Sequence, residues 1–164
     1  MTIMEIINHL DAVKPNSYSQ AEKIKWLNQV EWMIKKEIVD THEAVIDVIF
    51  NDVTGKLDLY VYGVLKGSYD PKETTTKELC ETHKTDKHPF DGYDTMSSLA
   101  KKVIAESPYD KLYIHWLEAQ IDYANGEYPK YHNSMTMFNE SYDEFAKWYN
   151  RAHMPLSHGG WKHW

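Results

Sequence analysis

Apolar positions recur at helical spacing along most of the chain. Ile3, Ile6, Ile7 and Leu10 mark a first short helix over residues 1–11, with Thr2 available as its N-cap and Lys14-Pro15-Asn16 as its stop. Ser19-Gln20-Ala21-Glu22 has the form of a capping box, in which hydroxyl and carboxylate satisfy each other's free amides ahead of an apolar run. The helix it opens keeps Ile24, Leu27, Val30, Ile34 and Ile38 on one face to about His42, and places Lys23, Lys25, Lys35 and Lys36 on the others. From Ala44 the period changes to that of strands, over 45–50 and 57–64, with a hairpin turn at 51–56 containing Gly55. Residues 66–92, rich in Thr, Lys, Asp and Pro, read as one long loop.

The second half returns to helical spacing. Residues 94–106 read as a short helix from Asp94 or Thr95, with Met96, Leu99, Val103 and Ile104 inward, or else as an extended segment. Ser107-Pro108, with Asp110 in the first turn, announces a helix through Leu112, Trp116, Ala119 and Tyr123 that stops at Asn125-Gly126. Over 129–153, Tyr131, Met135, Phe138, Tyr142, Phe145 and Tyr149 step by threes and fours, the pattern of a bundle seam. With Ile24, Leu27, Ile34, Leu112 and Trp116 they form the expected core. The expected fold is therefore mainly α, a helical bundle of about four to five helices with an inserted β-hairpin and long loop. It comprises one domain over 1–155, its insertion at 44–92, and an aromatic tail at 156–164 beyond Met154-Pro155.

Composition narrows the chemistry. At 164 residues the chain is long enough to bury a core without metal or disulfide, and its lone Cys80 has no intrachain partner. No stretch reads as a signal peptide or membrane span. A net charge of −7 opposes attraction to phosphate, so DNA is not expected as a ligand. Six Trp and twelve Tyr are an unusual supply of the side chains that anchor cores and interfaces.

Few residues carry reactive chemistry. Cys80, His83 and His88 lack a fourth ligand and the paired spacing of a zinc site, and the tail histidines His153, His158 and His163 have nothing to fix their geometry, so no metal is expected. There is no G-x-S-x-G elbow, phosphate-cradling glycine loop or dinucleotide fingerprint. Glu118 and Asp122, one helical turn apart, read as solvated charges rather than an acid/base pair. No catalytic residue and no cofactor is assigned. Trp161 and Trp164 are costly to leave in water, so they either fold back onto the bundle or dock on a partner.

Tyr109-Asp110-Lys111-Leu112-Tyr113, Ala119-Gln120-Ile121-Asp122 and Asn125-Gly126-Glu127 resemble a motif of the head-tail connector (adaptor) proteins of tailed bacteriophages and prophages of low-GC Gram-positive hosts. Tyr131-His132-Asn133-Ser134, Phe138-Asn139, Trp148-Tyr149-Asn150-Arg151 and His153-Met154-Pro155 look like its second half, with His132 where a second Asn is more usual. Ile6-Ile7, Lys14-Pro15-Asn16 and Trp26-Leu27 look like the family's N-terminus, so the resemblance spans roughly 1–43 and 90–155. It implies a virion structural protein made in the host cytoplasm. In the neck it forms a homo-oligomeric ring beneath the portal, often a dodecamer, passes DNA between head and tail, and meets the next neck or tail-completion protein. The tail of such a protein reaches the portal, which makes Trp161, Trp164 and His158 docking candidates. The competing readings are another neck or tail-completion protein, a small prophage-encoded module that binds a host protein, and, last, an enzyme.

Overall fold

The computed structural model describes residues 1–95 and 98–156. Among them are five α-helices, a 3-10 turn and three strands: α1 Ile3–Val13, α2 Gln20–Glu37, the turn Val39–Thr41, β1 Ile46–Asn51, β2 Lys56–Val61, β3 Val64–Tyr69, α3 Thr76–His83, α4 Lys111–Ala124 and α5 Tyr128–Ala152.

The first two helices begin where their capping residues stand. Thr2 Oγ1 accepts from the Glu5 amide at 3.3 Å while Glu5 accepts from the Thr2 amide at 2.7 Å, and Ser19 and Glu22 repeat the exchange at 3.3 and 2.8 Å. Each box satisfies amides that the first helical turn leaves without partners. Replacing Ser19 by Ala removes one of those acceptors, and a loss of about 1 kcal/mol is expected in urea denaturation; no change would mean that water serves the Glu22 amide equally well.

α4 and α5 form an antiparallel hairpin on which α1 and α2 pack. The main core lies among these four helices and includes Ile6, Leu10, Leu27, Ile34, Leu117 and Phe145. Of the residues expected there, Ile24, Leu27, Ile34, Leu112, Phe138, Phe145 and Tyr149 are buried, and Trp116, Met135 and Tyr142 are partly buried against them. Tyr131 is placed differently. It is half-buried beside Tyr123 and His132 at the outer end of the α4–α5 hairpin, away from the core.

The mainly α expectation is overturned. Of the described residues 51% are helical and 14% in strands and bridges, and a three-stranded antiparallel sheet in the order β1-β2-β3 makes this a mixed α/β fold. The physical reason lies at Tyr62-Gly63, expected as part of the second strand. Both residues take positive φ, 50° and 73°, the conformation of a tight hairpin turn, and the chain folds back to lay β3 against β2. A second element follows inside the expected loop. Thr75 and Glu78 form a third capping box and open α3, whose Leu79 covers the sheet face at Leu59 and Val61. Sheet and α3 thus own a smaller core, joined to the main one by Tyr62, which packs against both.

Three boundaries also move. α2 ends at Glu37, and the 3-10 turn carries the chain on to His42. Among its described residues, 94–106 is neither a helix nor a strand: it runs through turns at Thr95 and Leu99-Ala100 and a bend at Ile104-Ala105, with one bridge at Lys102. Its Leu99 and Lys101 carbonyls accept from the Met4 and Ile3 amides at 3.0 and 3.1 Å, and Thr2 bridges to Lys102, so the segment completes the start of α1. Met96 lies outside the described residues. Ser107-Pro108 does not begin α4: Tyr109 closes a turn onto the Glu106 carbonyl at 2.9 Å, and Asp110 takes the N-cap position.

Candidate functional site

The last turn of α5 brings aromatic rings together at one end of the helical body. Trp148 stacks on Tyr109 with centroids 5.1 Å apart, and His153 stacks on Tyr149 at 3.8 Å. Tyr149 in turn receives the edge of His42, whose Nδ1 lies 2.7 Å from the Ile38 carbonyl and therefore carries the proton of that hydrogen bond. These rings have different fates. Tyr149 is buried and its phenol is pushed up by desolvation, whereas Trp148 keeps 36% of its surface exposed. Tyr109, Trp148, His153, Pro108 and Ile104 line a groove of about 500 Å³ that is apolar in the main, with Glu106 at its wall. Such a surface suits an aromatic or aliphatic anchor.

Beside this groove the chain beyond α5 is tied down. The Glu43 amide donates to the Met154 carbonyl at 2.7 Å, Pro155 bridges to His42, and the Leu156 amide donates to the Thr41 carbonyl at 3.0 Å. Residues 154–156 are therefore held like a short strand against 41–43, a pairing between distant segments that local pattern does not reveal. The docking candidates Trp161, Trp164 and His158 lie outside the described residues.

A second cleft, of about 540 Å³, runs between 88–93 and 101–106. Asn28 pins its wall, accepting from the Tyr93 amide at 2.7 Å and donating to the Tyr93 carbonyl at 3.0 Å. Behind that wall sits Glu31, wholly buried on α2. Its Oε1 accepts from the Tyr93 hydroxyl at 2.7 Å and the Ile104 amide at 3.1 Å, and the buried Tyr113 hydroxyl also acts on the carboxyl, although Oε2 has no well-formed hydrogen bond among the described residues. Burial pushes the Glu31 carboxyl up to about 7, against the pull of those donors. The sequence marks Glu31 only as a polar residue beside Val30, on the rim of the apolar face.

A third polar group corrects the reading of Glu118 and Asp122 as solvated. Asp122 is 0% exposed. The ammonium of Lys14, at the C-terminal end of α1, pairs with its Oδ1, and the Ser134 hydroxyl donates to Oδ2 at 2.9 Å. Asp122 thus joins α1, α4 and α5. Glu118 is half-buried and lies 3.4 Å from His115. Cys80 and His83 share α3, His83 pairs with Asp86 at 2.8 Å, and His88 meets the edge of Tyr62. Among the described residues no group of three or more His, Cys, Asp and Glu side chains is placed to hold a metal ion, and no helix is long and apolar enough to cross a membrane.

No protein-family model matches the chain, and neither the curated proteins nor the solved structures contain a match to it.

Proposed function

We propose that this chain is a virion structural protein of the phage neck, a head-tail connector that forms a ring beneath the portal, and that its role is assembly rather than catalysis. The proposal begins from the resemblance over 1–43 and 90–155. The observation that carries it further is the distribution of exposed apolar side chains. One set is the Tyr109 and Trp148 ledge, beside the point where residues 154–156 are tied to 41–43. Another is the far end of the α4–α5 hairpin, where Tyr123 contacts Tyr128 and Tyr131 and both Tyr123 and Tyr128 are more than half exposed. A closed ring joins unlike faces of successive subunits, so it needs apolar anchors at two separate places on each copy. The net charge of −7 suits a passage that lets DNA slide without holding it.

In this reading the tail segment bearing Trp161 and Trp164 meets the portal. Electron microscopy of the purified protein, alone and mixed with the portal of its phage, tests the assignment. Rings stacked coaxially on portals are expected; a monodisperse particle that ignores the portal would shift the reading to another neck component. Truncation after Leu156 keeps the bond to Thr41 and removes both tryptophans. Its cooperative unfolding should be unchanged while portal binding falls by at least about a hundredfold, the loss expected for two buried aromatic anchors.

A further inference from the structure

The sheet has two outer edges, and they differ in a way that points to a partner. β3 is interrupted: its register against β2 shifts between Leu59 and Tyr60, so Lys66 is an extra residue beside Gly67. A bulge with a lysine is a common device for blocking strand addition. β1, Ile46-Asp47-Val48-Ile49-Phe50-Asn51, contains no proline, lysine, glycine or bulge and pairs in unbroken register with β2. The Tyr62 amide donates to the Val45 carbonyl at 2.8 Å. In an antiparallel ladder the bonded pairs alternate, so 47, 49 and 51 also turn their backbone groups to β2, while those of Ile46, Val48 and Phe50 point off the outer edge, where no described residue pairs with them; the Ala44 amide before them is taken by the Lys84 carbonyl at 2.8 Å, so the free edge begins at Ile46.

The side chains of these same three residues lie on the face covered by α3, opposite Val61, Leu59 and Leu57. Ile46 and Val48 are partly covered there, but Phe50 remains 53% exposed. At the other end of the strand a groove of about 240 Å³ lies beside Ile46, walled by Ala44, Cys80, Glu81 and Lys84. It is large enough to admit a phenyl ring.

We propose that β1 pairs antiparallel with β1 of a second copy of this chain, about a two-fold axis through Val48, to make a continuous six-stranded sheet. In that register Val48 faces Val48, and Phe50 of each copy faces Ile46 of the other at the mouth of its groove. The strand is its own complement: the outward backbone groups of 46, 48 and 50 find partners, both exposed phenylalanines are covered, and each Asp47 lies opposite Ile49 rather than its like-charged counterpart. Pairing β3 edges would set Lys66 near Lys66 across a bulge. The contact is smaller than the roughly 800 Å² per partner of a standard interface, so a dissociation constant of about 1–100 µM is expected.

This pairing does not rest on the connector assignment, because it is two-fold and a ring contact is not. Sedimentation velocity of the full chain from about 1 to about 500 µM should show a concentration-dependent dimer, or ring particles associated in twos. Phe50→Lys changes an exposed side chain and should weaken that association at least about tenfold while leaving the thermal unfolding profile and any ring in place. In a Cys80→Ser background, Val48→Cys should cross-link to a disulfide dimer on mild oxidation, and Ser68→Cys, on the edge of β3, should not. Association unaffected by Phe50→Lys, cross-linking through Ser68→Cys instead of Val48→Cys, or a monomer at every concentration would each overturn the proposal. Loss of rings with the two-fold dimer retained would count against the connector reading alone.

Discussion

Replacing Lys14 by Met destabilises the fold by about 3–5 kcal/mol, the loss expected when one partner of a buried ion pair is removed and the other charge stays behind. Asp122 has no exposed surface, and its other side-chain partner is the neutral Ser134 hydroxyl. A hydroxyl stabilises a buried carboxylate far less than an ammonium does. Without Lys14 the folded chain must either hold an unpaired anion among α1, α4 and α5 or bind a proton there. Guanidinium denaturation checks the magnitude. The double variant Lys14→Met with Asp122→Leu recovers much of the loss, because it removes both charges together. If the single variant lost less than about 1 kcal/mol, the pair would behave as an exposed one, and the burial of Asp122 would be refuted.

The second large effect depends on pH. The Glu31 carboxyl has an ordinary value of 4.5 and is raised by burial to about 7 in the folded protein. Between those values the folded chain holds a proton that the unfolded chain has released, so stability falls as pH rises through that window. The contribution is complete below pH 4.5 and lost above pH 7, with a total on the order of 3 kcal/mol from the size of the shift. Glu31→Gln keeps an oxygen that accepts from Tyr93 and Ile104 but does not titrate. Compared at pH 5 and pH 8, the parent should lose stability relative to the variant; His88, held below the ordinary imidazole value by burial, titrates in the same window in both proteins and cancels in the difference. The capping carboxylates Glu5, Glu22 and Glu78, each lowered by the amide it accepts from, act in the opposite direction and only at lower pH. They are common to both proteins and cancel in the difference. Parallel curves would place Glu31 in contact with water.

Glu31 and Asp122 show what kind of information local pattern lacks. Each occurs in a helix with an apolar stripe, and charges in such helices usually face solvent. What buries Asp122 is the arrival of Lys14 from 108 positions away, and what buries Glu31 is an irregular segment carrying Tyr93 and Ile104 from more than 60 positions away. No spacing rule reaches across such distances. The missed β3 has a different cause. Val-Leu-Lys-Gly-Ser-Tyr is neither strongly apolar nor alternating, because only one of its sides meets a strand and Gly67 and Lys66 serve the bulge. Tyr62-Gly63 is a turn pair of moderate strength, masked by the alternating run Leu57-Asp58-Leu59-Tyr60-Val61 before it and by Val64 after it. α3 was legible in principle, since Thr75-Thr76-Lys77-Glu78 is a capping box of the kind that correctly marks α2. The polar composition of its surroundings concealed it.

The proposed connector reading starts from aromatic and turn residues, and the fold gives aromatic and turn residues of these helices definite physical work. Asn125-Gly126 ends α4 with Gly126 at φ 72°, a conformation that costs a residue with a Cβ far more, and the tight reversal there aligns α4 with α5. Trp116 donates its indole N–H to the Trp26 carbonyl at 2.8 Å, and Tyr18 donates to Asn125 at 2.7 Å.

The sequence by itself determined the local facts: where α1 and α2 begin, where α4 stops, the seam of α5, the first hairpin, and the absence of familiar catalytic and nucleotide-binding motifs. Each follows from interactions within about four residues, or from a periodicity that records which face of a helix or strand avoids water. Only the tertiary structure decided which polar residues are buried, which loop carbonyls complete α1, where residues 154–156 are held, and that the sheet has three strands, one outer strand bulged and the other in unbroken register. Those outcomes depend on partners supplied from distant parts of the chain. The free energy of placing a charge or a strand edge is set by what lies across the contact, which is written in no single stretch of sequence.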